Sequence, residues 1–219
     1  MSLYAERRRY MVESQLRTNK VTNTNVLIAF EETPKESFVD EDLASLAYID
    51  EDLMLGEARF MLEPMVFARL VQALRLNSTP SVLDIGAATG YSTAILSRLA
   101  QSVVGIECNA HLAEKGQNNL TENNVDNGVI LHGALTEGLK AEAPYNAIII
   151  EGSVENVPTQ LLQQLSENGR LVAIQRDDAN SPGRAVKYVR AGDGFASSTL
   201  FDAQTPMLNE FAVERSFAF

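Results

Sequence analysis

The chain has 219 residues, 45% hydrophobic and 21% charged, which suits one well-buried α/β domain and is short for two. Twenty-nine acidic against 18 basic residues give a formal net charge of −11, a surface that repels phosphate backbones and argues against nucleic acid as a partner. A single cysteine, Cys108, leaves no intrachain disulfide, and two isolated histidines, His111 and His132, do not make a metal site. With no run near the ~18 apolar residues of a membrane span and no apolar leader, the sequence predicts a cytoplasmic protein.

The first 75 residues read as helical and irregular. Met11, Val12 and Leu16 among charges predict an amphipathic helix over 8–16. Thr22 to Asn25 cap a second helix beginning at Val26, which Thr33-Pro34 ends. Asp40-Glu41-Asp42 can cap a short third. Residues 48–61 read as a loop or short hairpin, and Pro64 opens a helix running to Leu74. Asn77 to Pro80 is a turn. Beyond it the pattern alternates: strand 81–85, helix 91–100, strand 102–107, helix 110–122 and strand 128–132, then strand 146–151, helix 157–165 and strand 169–175. Near-continuous apolar runs such as Ala147 to Ile150 predict strands buried on both faces of a parallel sheet. Val186–Arg190, Ser198–Phe201 and Phe211–Phe219 read as β pieces without helices between them, predicting antiparallel strands at one edge. The expected division is a helical cap with a substrate loop over 1–79 and a ligand-binding core over 80–219.

The most informative segment is Ser81 to Tyr91, where an apolar strand ends at Asp84-Ile85 and a glycine turn opens a helix. Glu107 ends the next strand, 21 residues after Gly86, as in the nucleotide-binding half of a doubly wound sheet. A dinucleotide loop wants glycine at 86, 88 and 91, and only Gly86 is present. A methyltransferase loop wants glycine at 86, 88 and 90, and only Ala88 departs. The spacing favours S-adenosylmethionine over NAD.

Ordered motifs along the chain resemble the protein-L-isoaspartate O-methyltransferase family. Arg9 to Arg17 is similar to its opening Met-Val-x-x-Gln-Leu helix, and Val26–Phe30 followed by Thr33–Val39 to its second segment. Ala47-Tyr48 with Asp50, and then Gly56 to Pro64, resemble the approach to its substrate loop. Ala143 to Ile150 is similar to its fourth strand, and Gly169 to Val172 to the entry of its fifth. The resemblance implies a Rossmann-like, seven-stranded methyltransferase sheet with an N-terminal helical cap. It implies S-adenosylmethionine as cofactor and L-isoaspartyl residues of damaged proteins as the acceptor.

Carried over residue by residue, the resemblance gives Asp84, Gly86, Ala88, Gly90, Glu107, Ala134 and Glu151 as cofactor-side positions. Leu62 and Arg59 fall on the acceptor side, as the candidate catalytic positions. Gly86, Gly90 and Glu107 keep the family's residues, the glycines for close approach and the carboxylate for ribose hydroxyls. The others depart. Leu62 stands for the family's serine, Phe60 for its threonine, Arg59 for its glutamine, Ala134 for its adenine-side aspartate, and Glu151-Gly152 for its threonine-alanine pair. Arg59 can either grip a carboxylate or pair with Glu57 or Glu63. The departures keep two alternatives open beside isoaspartyl methylation: a methyltransferase with another acceptor, and an inactive methyltransferase-fold binding protein.

Overall fold

Seven strands form one sheet in the order β5-β4-β3-β6-β7-β8-β9 in a computed structural model that describes residues 2–76, 80–178 and 181–213. The strands are β3 (Ser81–Ile85), β4 (Ser102–Glu107), β5 (Gly128–His132), β6 (Tyr145–Val154), β7 (Leu165–Gln175), β8 (Arg184–Ala191) and β9 (Gly194–Asp202). Strands β3 to β7 are parallel, while β8 and β9 run antiparallel at one edge. The runs read as doubly buried are so: Val82, Leu83, Ile85 and Ile148 to Ile150 are fully enclosed. The sheet is therefore Rossmann-like, and its seven strands all fall within the predicted core.

The order in which strands are added reverses between β3 and β6, which stay parallel. From β3 the chain moves outward to β4 and β5, then returns to place β6 on the other side of β3. Such a switch point opens a crevice at the carboxyl ends of the strands. Register makes the crevice specific. Ile85 pairs with Ile106 and with Ile150, so Gly86, Glu107 and Glu151 leave their strands side by side.

The cap contains α1 (Leu3–Met11), α2 (Thr24–Glu32), the hairpin of β1 (Leu53–Gly56) and β2 (Arg59–Met61), and α3 (Pro64–Leu74). Helix α1 begins five residues before the predicted start, because the Ser2 hydroxyl accepts from the Ala5 N–H at 3.2 Å. Its predicted second half is a π turn, Val12–Leu16, rather than α-helix. Asn23 caps α2 through Asn25 and Val26 N–H. The acidic run at 40–42 leads only into a 3₁₀ turn, Ala44–Leu46, not an α-helix. Helix α3 packs on β6 and β7. Tyr91, the first residue of α4 (Tyr91–Ser97), sits among Phe30, Phe38 and Phe67 with ring centroids 5.8–6.4 Å away. These tilted and edge-on contacts join cap to core.

Two core helices are shorter than predicted. Helix α4 stops at Ser97 because Asn127 Nδ2 donates to the carbonyls of Ser97 (2.9 Å) and Ala100 (3.0 Å), capping the chain from outside. Helix α6 (Thr159–Leu162) is one turn long, since Leu165 is already paired with Tyr145 in the sheet. Helix α5 (Ala110–Glu122) spans the predicted residues. Phe211 lies in a 3₁₀ turn, Asn209–Phe211, rather than a strand; residues 214–219 of that predicted piece, and residues 77–79 of the predicted turn, lie outside the described residues. Among the described residues no helix is long and apolar enough to cross a membrane.

Candidate active site

The turn after β3 is built by its own backbone. Gly86 and Ala87 both donate to the Ile106 carbonyl, at 2.9 and 3.2 Å, and Gly90 N–H donates to Ala87 O at 2.8 Å. Gly86, Ala88 and Gly90 all hold positive φ, at 85°, 45° and 94°. Glycine tolerates this conformation freely, whereas Ala88 is strained in it. A Cβ on Gly90 would lie 3.0 Å from the Gly116 carbonyl of α5, so this glycine serves packing between turn and helix. Asn119 Nδ2 donates to Thr89 O at 2.8 Å and fastens the turn to the same helix.

Beneath the turn, Asp84 is fully buried, and its Oδ2 accepts from the hydroxyls of Ser92 (2.7 Å) and Thr93 (2.6 Å). Its role here is to tie strand to helix. Burial, which outweighs the two hydroxyls, raises its carboxyl to about 6, and Glu107 adds to the rise. Glu151 is nearly fully enclosed, with Oε1 lacking a hydrogen bond. Burial, followed by the nearby Asp84, pushes its carboxyl well above the usual range.

Glu107 is the centre of the site. Its Oε1 accepts from Asn109 N–H (2.9 Å) and Arg59 Nε (3.1 Å), and its Oε2 from Ala88 N–H (3.1 Å) and Arg59 Nε (3.3 Å). Arg59 reaches it from the hairpin. There its Nη2 also meets Cys108 Sγ at 2.6 Å and Glu210 Oε1 at 2.7 Å. Of the two pairings open to Arg59 from sequence, neither Glu57 nor Glu63 is its partner. It grips carboxylates within its own chain.

The C-terminal segment is a contributor that sequence reasoning missed. Ser153 and Leu208 lay residues 206–208 along the end of β6: Ser153 N–H donates to Pro206 O and Leu208 N–H to Ser153 O, at 3.0 and 2.9 Å. That brings Leu208 and Phe60 together over Gly152, where a Cβ would lie 2.8 and 3.1 Å from them. The bare glycine after Glu151 was the one available sign that something packs there.

Leu62, Phe60, Gly86, Ala88, Thr89 and Glu151 surround a cavity of about 20 Å³, room for about one water. Leu62 contributes only a buried apolar wall. Ala134 is exposed in the loop after β5 and does not line this cavity. A glycine turn thus stands beside a strand-end acid, and Thr89 Oγ1 and Glu151 Oε1, of residues lining the cavity, have no hydrogen-bond partner. In this closed arrangement Arg59 holds Glu107, and Phe60 and Leu62 wall the small cavity over the turn.

A seven-stranded sheet with a glycine turn at its switch point, and an acid ending the adjacent strand, defines the class as Rossmann-like methyltransferases. Residues 6–199 match the family described as protein-L-isoaspartate(D-aspartate) O-methyltransferase, and the chain belongs to it. It is similar to the protein-L-isoaspartate O-methyltransferase of Pseudomonas paraeruginosa, 35% identical over 208 residues that cover 94% of this chain and 97% of that one. The enzyme of the same name from Methanoculleus marisnigri is 35% identical over 166 residues, 76% of each chain. Among solved structures, a protein-L-isoaspartate O-methyltransferase superimposes with a TM-score of 0.82 at 22% identity, covering 92% of this chain and 65% of that longer chain. A Plasmodium falciparum protein, described as a putative protein-L-isoaspartate O-methyltransferase in complex with S-adenosyl-L-homocysteine, gives 0.76 at 19% identity, covering 90% and 96%. The structural likenesses carry the fold.

Proposed function

We propose that this chain is an S-adenosylmethionine-dependent methyltransferase that acts on the carboxyl of L-isoaspartyl residues in damaged proteins. Membership of the family across residues 6–199 is the observation that carries this reading. A carboxylate acceptor with a pKa near ~4 is ionised at neutral pH, so no general base is required. The task left to the protein is to align the acceptor and exclude water. Phe60, Leu62, Phe67 and Tyr91 supply a dry wall. In this division of labour residues 1–79 form the acceptor side and residues 80–219 the cofactor side.

Leu62 favours a second reading, a methyltransferase whose acceptor is not isoaspartate. It occupies the family's serine position, is only 2% exposed and offers no polar atom to a substrate carboxyl. Transfer of labelled methyl to an isoaspartyl peptide and its aspartyl twin separates the two. Labelling of the isoaspartyl peptide alone is expected; labelling of neither, with cofactor binding intact, sinks the first reading and leaves the second.

A further inference from the structure

Glu107 is already engaged by three N–H donors. An ionised carboxylate offers about four acceptor positions. Here Asn109 N–H and Ala88 N–H take one each, and Arg59 Nε spans the two oxygens. A ribose diol placed at the end of β4 would need the positions Arg59 now holds. The arginine is not a surface group that has fallen inward: its side chain is 4% exposed, and the hairpin aims it. The residues before it, Glu57 and Ala58, both adopt positive φ, at 52° and 54°, in a tight turn where Asn-Gly is the preferred pair. Strain in the turn is offset by what Arg59 reaches.

We propose that Arg59 competes with the cofactor's ribose for Glu107, so that loading requires hairpin β1–β2 to lift and Arg59 to release both Glu107 and Glu210. This rests on the methyltransferase reading above. Glu210 is the outer half of the latch. It is 32% exposed, and it accepts from Arg59 Nη2 at 2.7 Å and from Cys108 Sγ at 3.2 Å. About a third exposed, it is the tie more screened by solvent, whereas Glu107 is wholly buried. A cofactor that binds only the open form has its apparent affinity reduced by the fraction of molecules open. Arg59 therefore sets affinity without touching the ligand.

The test uses the full chain, its Arg59→Gln variant (the family's residue at this position) and Glu210→Gln. S-adenosylhomocysteine is titrated calorimetrically into each, and hydrogen exchange of amides 53–61 is followed without ligand. Arg59→Gln is expected to bind about tenfold tighter or better, Glu210→Gln to gain less, and both to exchange faster in the hairpin. Glu210→Gln alters a partly exposed side chain and keeps the inference testable if Arg59→Gln misfolds. Equal binding by all three proteins overturns the latch and leaves the methyltransferase reading standing. Unchanged hairpin exchange in both variants also overturns it. Binding by none, up to millimolar ligand, overturns the cofactor assignment and the latch with it.

Discussion

The glycine turn and the lid above it lie in contact, yet they are held by different means. The turn, residues 86–90, is fixed by main-chain bonds to Ile106 and by the close approach of α5. In the lid, segment 205–211 is bonded to Ser153 through its main chain, but hairpin 53–61 meets the rest of the site through side chains: Arg59 to two carboxylates, and Phe60 beside Leu208 over Gly152. A main-chain bond survives most substitutions, whereas a side-chain bond is lost with its residue. Substitutions in the hairpin can therefore change what faces the crevice without disturbing the sheet.

The contrast breaks most severely at the frame's tightest point. Gly116→Ala would place a methyl 2.7 Å from the Ala88 carbonyl and from Ile130 Cδ1. We expect a loss of about 2–3 kcal/mol in urea unfolding; a neutral result would mean that turn and helix slide apart freely. Next comes Asp84. Its folded carboxyl is raised to about 6, so its contribution to stability is fully present below the unfolded value near ~4 and is lost as pH rises through about 6. Wild-type stability should fall by about 2–3 kcal/mol between pH 4.5 and 7.5, with Glu63, raised to about 7 by burial and then by Asp52, Asp50 and Glu51, acting in the same sense. Asp84→Asn should flatten that slope. A slope identical to wild type would remove Asp84 as its source.

Smaller effects compare strain in the two regions. Ala88→Gly relieves a left-handed alanine in the frame and should stabilise the whole protein by up to about 1 kcal/mol. Ala58→Gly relieves a similar φ in the lid, where opening is local. Its gain, a few tenths of a kcal/mol by the same reasoning, should appear as slower hairpin exchange with the global melting temperature unmoved. If both substitutions shift the melting temperature alike, frame and lid unfold as one unit and the distinction between them fails.

The same division governs what could be read from sequence. Strands β3, β4 and β5 and helix α5 follow from apolar runs, an acid at a strand end and helical spacing, all local patterns. So do Gly86 and Gly90, because a backbone that must take positive φ selects its residue. The partner of Arg59 did not follow, since Glu107 lies 48 residues away and Glu210 lies 151. Nor did the position of residues 205–211, because the main chain of Pro206 and Leu208 is bonded to Ser153, far away in the sequence. The missing length of α6 has the same origin: Gln164 and Leu165 answer to Tyr145 rather than to their helical neighbours.

Strand order also bears on how the molecule is assembled during synthesis. The middle of the sheet emerges first, as β3, and growth proceeds to one edge before returning to build the other. Until β6 leaves the ribosome, one long side of β3 has no partner, an open edge of the kind that invites wrong pairing. The crevice does not exist before Glu151 arrives, and its cover is incomplete until Glu210 has been added. A cut after Asp202 would keep every strand of the sheet and take Glu210 away from Arg59.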